Sequence, residues 1–141
     1  MKTIFCDIDG TLLKFREDFG SMMNYAEPLK GAISTTMQWH REGYKVILVT
    51  GRPEPFRKRT EDQLLRFGII YDQLVMGVGS GPRYLINDIT EEHKPTAFSV
   101  NVKRDEGLYP GILTYYPNAK TTTPECKGKC GKHVRFKGKD F

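Results

Sequence analysis

The chain has 141 residues, enough for one domain around a single core and too few for a catalytic domain carrying a large lid. No apolar run approaches the roughly 20 residues of a membrane span, and Met1-Lys2-Thr3 leads directly into Ile4-Phe5-Cys6 without the layout of a secretory leader. A cytoplasmic protein with no membrane contact is expected. The formal charge of +5 sits at one end, since residues 120–141 hold seven basic residues against two acids and the remainder balances.

Residues 3–8 form a short apolar run ending in carboxylates, which predicts a strand with Cys6 as a small buried thiol. In residues 28–42, Leu29, Ile33, Met37 and Trp39 stand at helix-like spacing with Gly43 as the stop, so a crossover helix is predicted there. Residues 45–50 repeat the pattern of the first strand. Residues 52–67 predict a second helix, with Pro53 in its first turn, Leu64 and Leu65 as apolar anchors and Gly68 as its C-terminal signal. Further strands are expected at 72–76, 83–88 and 97–102. Strands alternating with helices predict an α/β fold, a Rossmann-like three-layer sandwich around a central parallel sheet of about five strands.

The predicted domain spans residues 1–119, followed by a basic tail at 120–141. The tail reads as a solvated extension or as a contact for nucleic acid. It also holds Cys126, Cys130 and His133, one ligand short of the usual structural zinc site. Three cysteines in all, with Cys6 in a strand, argue against a disulfide framework.

In a parallel sheet, ligands gather beyond the carboxyl ends of the strands, and Asp7, Asp9, Thr50 and Asp88 all fall there. The segment Asp7-Ile8-Asp9-Gly10-Thr11 sets two carboxylates on one turn. Phosphoryl transfer needs such a pair: an anionic oxygen as nucleophile, an acid to protonate the leaving alkoxide, and a cation to balance the charge. A calcium loop would need further oxygen ligands where Leu12 and Leu13 stand.

These residues resemble the haloacid dehalogenase superfamily, whose phosphatases begin with an Asp-x-Asp-Gly-Thr segment matched here without substitution. The resemblance covers residues 1 to about 107 and continues in Leu48-Val49-Thr50-Gly51-Arg52 and Leu85-Ile86-Asn87-Asp88. It implies that Asp7 is the nucleophile and a magnesium ligand. Asp9 would be the general acid and then the base, with its carbonyl on the metal. Thr50 would bind a phosphoryl oxygen, and Asp88 would be the remaining metal ligand. Gly51 leaves the backbone open to a ligand, and Arg52 either contacts phosphate or pairs with a surface acid. The family's charge-balancing cation is Arg83, just before the acidic strand, or Lys58 on the second helix. A second acidic position falls to Glu91 or Glu92, unless Asn87 fills it by holding a metal-bound water.

The expectation is a magnesium-dependent phosphomonoester hydrolase with an aspartyl-phosphate intermediate. Sixteen residues between Thr11 and Pro28 leave room for a flap but not for a helical cap, so a small capless member is expected. An open site suits a large substrate, or a partner subunit that closes it, as in a homo-oligomer. The expected substrate is a phosphorylated small molecule, such as a sugar phosphate or nucleotide, or a polynucleotide end. Phe15, Phe19 and Tyr25 in the flap are candidates to stack on a sugar or base, whereas Met22, Met23, Trp39 and His40 read as core or interface. The alternative reading is a weakly catalytic phosphate- or nucleic-acid-binding protein on the same fold.

Overall fold

Two five-residue runs rich in apolar and β-branched side chains pair in parallel, β1 (Thr3–Asp7) and β2 (Lys45–Val49). A computed structural model describes residues 1–90 and 96–113. Glu91, Glu92, Cys126, Cys130, His133 and the whole basic tail lie outside the described residues. A third strand, β3 (Gln73–Val75), completes a sheet of order β1-β2-β3. In the register, Asp7 lies opposite Val49 and Val49 opposite Val75. The three strands therefore end level, and the residues that follow them emerge on one edge. Pleating sends Ile4, Cys6, Val46 and Leu48 into the core, while Phe5 points to the other face and is 57% exposed.

The crossovers carry α1 (Phe19–Tyr25), α2 (Ala32–Arg41) and, after a 3-10 turn at Glu54–Phe56, α3 (Arg57–Phe67). Helix α2 is the expected crossover with a different buried stripe: Ala32, Thr35, Thr36 and Trp39 face inward, and Ile33 is 37% exposed. Its start explains the rotation. Gly31 takes a left-handed conformation (φ 76°), and the Leu108 carbonyl oxygen would lie 2.1 Å from a Cβ at that position. Helix α3 begins at Arg57 instead of residue 52 and ends on Gly68 at φ 71°, a left-handed cap whose N–H reaches back to the last turn. Of its two expected anchors, Leu64 is buried and Leu65 is 79% exposed. Trp39, Leu64, Leu108 and Ile112 join the inward residues of β1 and β2 in one core.

Three of the expected strands form. Residues 83–88 and 97–102 run outside the sheet, with Tyr84 88%, Leu85 60% and Ile86 92% exposed. An apolar run satisfies its backbone as a strand only where a neighbouring strand accepts it. Among the described residues the outer edge of β1 has no such neighbour. Also among these residues, no helix is long and apolar enough to cross a membrane.

Candidate active site

The turn after β1 is wound around one carbonyl. Ile8 C=O accepts from the N–H groups of Thr11 (3.3 Å), Leu12 (2.9 Å) and Leu13 (2.9 Å), while Gly10 N–H donates to the Leu13 carbonyl (2.7 Å). Gly10 sits at φ 88°, a conformation that glycine takes without steric cost. The Thr11 hydroxyl turns back to donate to Asp7 Oδ2 at 3.3 Å.

The two carboxylates of this turn meet different surroundings. Arg83 places Nη1 2.9 Å from Asp7 Oδ1, and both side chains remain open to solvent, 43% and 30% exposed. Burial pushes the Asp7 carboxyl above its ordinary value; Arg83 opposes that rise by its charge and hydrogen bond, and the nearby Asp9 charge adds to it. Of the two expected cations, Arg83 is thus the one at Asp7. Lys58 pairs with Asp62 one turn along α3, where its side chain is 80% exposed.

Asp9 is enclosed. Arg52 holds it with two parallel hydrogen bonds, Nη2 to Oδ1 at 2.6 Å and Nε to Oδ2 at 2.9 Å, and the Thr50 hydroxyl donates to Oδ2 at 3.2 Å. The Arg52 side chain has no solvent exposure, and Asp9 keeps 12%. Arg52, expected to contact phosphate or to pair with a surface acid, is paired here with the enclosed Asp9. Its remaining Nη1 donates to Gln63 Oε1 (2.8 Å) and Thr60 Oγ1 (3.3 Å), so four hydrogen bonds occupy a guanidinium with five N–H groups. Thr50 is fully buried with its hydroxyl on Asp9. Gly51 leaves room for protein: a Cβ there would stand 3.2 Å from the Val78 carbonyl oxygen.

Asp88, expected beside Asp7 and Asp9 as a metal ligand, is not brought to them. It is exposed and bound by Thr96, whose hydroxyl also accepts from the Asn87 amide at 2.7 Å. Among the described residues no three His, Cys, Asp or Glu side chains are grouped as a metal site would require. The physical reason is the unformed strand at 83–88, which would have aimed Asp88 along the sheet edge.

Three contributors escape the sequence reading. Asp105 N–H donates to the Gly10 carbonyl (2.9 Å), and its carboxylate accepts the Phe15 N–H (2.7 Å), tying residues 103–108 to the turn and the flap. Asp105 stands at φ 64°, and the Asp-Glu-Gly turn is the one sequence signal for it. Arg104 lies over the Phe15 ring at 4.2 Å, so that face is already occupied, whereas Tyr25 is 67% exposed. Thr60 and Gln63 are buried polar residues on the inward face of α3, beside Leu64. Their signal is polarity at core spacing. An open cavity of about 880 Å³ lies between the flap and the end of α3, lined by Phe15, Asp18, Tyr25 and Arg66 among others, and includes neither Asp7 nor Asp9.

Comparison with known proteins bears on residues 4–70, which match the family model of haloacid dehalogenase-like hydrolases. No curated protein matches the chain. Among solved structures, a chain of the Pnkp1/Rnl/Hen1 complex is 29% identical with a TM-score of 0.48, over 59% of this chain and 30% of that one. This protein therefore spans less than a third of that chain's length. D,D-heptose 1.7-bisphosphate phosphatase from B. bronchiseptica, complexed with magnesium and phosphate, is 18% identical with a TM-score of 0.45, over 57% of this chain and 52% of that one. A protein from Vibrio cholerae is 18% identical with a TM-score of 0.49, over 62% and 80%. The matched residues run from β1 through α3 and include Asp7, Asp9, Thr50 and Arg52. Over residues 4–70, then, the chain is similar to the haloacid dehalogenase-like hydrolases, and the matched Asp7, Asp9 and Thr50 stand at the carboxyl edge of a parallel α/β sheet.

Proposed function

We propose that the protein is a magnesium-dependent phosphomonoester hydrolase working through an aspartyl-phosphate, with Asp7 as nucleophile and Asp9 as proton carrier. The observation that carries this reading is the division of labour between two carboxylates on one turn. Asp7 is partly buried, keeps 30% exposure and faces Arg83, while Asp9 keeps 12% and is held in place by Arg52 and Thr50. Pairs of titratable groups placed in contrasting environments suit distinct acid, base and nucleophile tasks.

An Asp7 oxygen attacks phosphorus in line as the bond from phosphorus to the leaving oxygen breaks, and the Asp9 carboxyl passes its proton to that oxygen. Water then attacks the same phosphorus, gives its proton to the Asp9 carboxylate, and releases inorganic phosphate and free Asp7. Arg83 balances the charge of Asp7 and the phosphoryl group. On this reading the Thr50 hydroxyl exchanges its hydrogen bond to Asp9 for one to a phosphoryl oxygen, and the backbone at Gly51 takes another. The Asp7 carboxylate and the Asp9 carbonyl are hard oxygen donors that fit magnesium. When bound, the ion supplies charge neutralisation between carboxylate and phosphate. Asp88 belongs to that set only in an arrangement that frees it from Thr96. The substrate class is a sugar phosphate, a nucleotide or a polynucleotide end.

The test is phosphate release from a panel of these three classes, with and without magnesium. Asp7→Asn is expected to lower release by at least about 1,000-fold while keeping the wild-type circular dichroism spectrum. Wild-type rates in Asp7→Asn would remove the nucleophile assignment, and release from no substrate in magnesium would remove the phosphatase reading.

A further inference from the structure

We infer that Arg52 is a positioning residue that transmits the placement of helix α1 to Asp9, an inference that rests on Asp9 being the proton carrier. Helix α1 leaves its last four carbonyls without intrahelical partners. The Gln63 amide nitrogen donates to two of them, Met22 C=O at 3.1 Å and Met23 C=O at 3.3 Å. The amide oxygen of the same side chain accepts from Arg52 Nη1 at 2.8 Å, and the other edge of that guanidinium grips both oxygens of Asp9. Thr60 adds a parallel link, accepting from Arg52 at 3.3 Å while its hydroxyl lies 4.0 Å from the Met23 sulfur.

The flap thus reaches the site by two routes. Its ends close on one another, with Leu13 bridged to Pro28 and Lys14 N–H on the Glu27 carbonyl (2.9 Å). Its helix is joined to Asp9 through Gln63 and Arg52. Every group in this chain is buried: Gln63 is 3% exposed, Arg52 1%, Thr60 0%, and Met22 and Met23 6% and 8%. Planar amide and guanidinium groups enclosed in this way have few alternative partners, so a shift of α1 pulls on the Asp9 carboxylate. A fork that sets both carboxylate oxygens fixes the direction in which a proton leaves Asp9. That direction matters most where the leaving oxygen must be protonated as its bond breaks.

The discriminating experiment compares kcat/KM on phenyl phosphate, whose leaving oxygen needs a proton, with p-nitrophenyl phosphate, whose leaving oxygen needs it far less. Arg52→Lys keeps the charge and removes the fork; it is expected to lose about 100-fold on phenyl phosphate and under about 10-fold on p-nitrophenyl phosphate. Gln63→Met keeps Arg52 and cuts the link to α1, with an expected loss of about 10-fold against about 2-fold. Equal losses on the two esters, or none, in folded variants would overturn the inference, since a purely structural role does not distinguish leaving groups. Should Arg52→Lys fail to fold, the Gln63→Met ratio decides. A wild type that is active while the variants show no leaving-group bias refutes this inference alone. A wild type inactive in magnesium on both esters and on the sugar-phosphate, nucleotide and polynucleotide panel refutes the phosphatase reading and the inference with it.

Discussion

Asp7 and Asp9 are two residues apart and carry the same functional group, and their neighbours separate them. For Asp7 the consequence is readable in stability. Burial outweighs Arg83 and raises the carboxyl above its unfolded value of about 3.9, so the folded state binds this proton more tightly than the unfolded chain does. Stability from this group therefore falls as pH rises from about 4 through the raised folded value, and the loss is complete above it. Asp7→Asn has no such titration. In metal-free buffer the variant is expected to melt above wild type at pH 7, and the gap should close as pH falls below about 4. A wild type that gains on the variant as pH rises would show that Arg83, not burial, sets the balance. The Cys6 thiol beside it is pushed up to about 12, chiefly by burial and then by the Asp7 charge, which makes it an inert core residue.

Elements in this fold are positioned by close backbone contact as much as by side chains. Gly31, at the start of α2, and Gly107 face each other: a Cβ on Gly31 would stand 2.1 Å from the Leu108 oxygen, and one on Gly107 would stand 2.2 Å from the Lys30 oxygen. Leu108 N–H also donates to the Lys30 carbonyl at 2.8 Å. Gly43 has nearly the same φ, 75°, with nothing within 4 Å. The comparison separates backbone strain from crowding. Gly43→Ala is expected to cost about 1 kcal/mol and Gly31→Ala about 2–3 kcal/mol, measured by urea unfolding. Equal costs would mean that the 103–108 segment yields without penalty. Helix spacing in residues 28–42 announces α2 but not which side is buried. That side follows from where this segment lands, a contact more than seventy residues away.

For the whole molecule, residues 103–113 reach into the core through two side chains: Leu108 is 6% exposed and Ile112 3%. Losing a buried Leu or Ile side chain costs about 2–5 kcal/mol, against a total stability of about 5–15 kcal/mol for a domain. A chain ending at residue 102 is therefore expected to lose cooperative unfolding, whereas one ending at 119 should keep the full-length urea midpoint. A lowered midpoint in the latter would contradict the proposal that 120–141 is a separable tail. The sequence alone determined the features that depend on neighbouring residues. These are the alternation of β1 and β2, the Asp-x-Asp-Gly-Thr turn, Gly68 as the end of α3, and the arrival of Asp7, Asp9 and Thr50 at one sheet edge. Only the tertiary structure decided the partners. Arg52 stands 43 residues from Asp9 and meets it because β1 and β2 pair in register. Gln63 joins them because α3 packs on α1. Residues 83–88 have the composition of a strand, but a strand also requires an adjoining ladder. That requirement belongs to the fold and is why Arg83 reaches Asp7 while Asp88 does not.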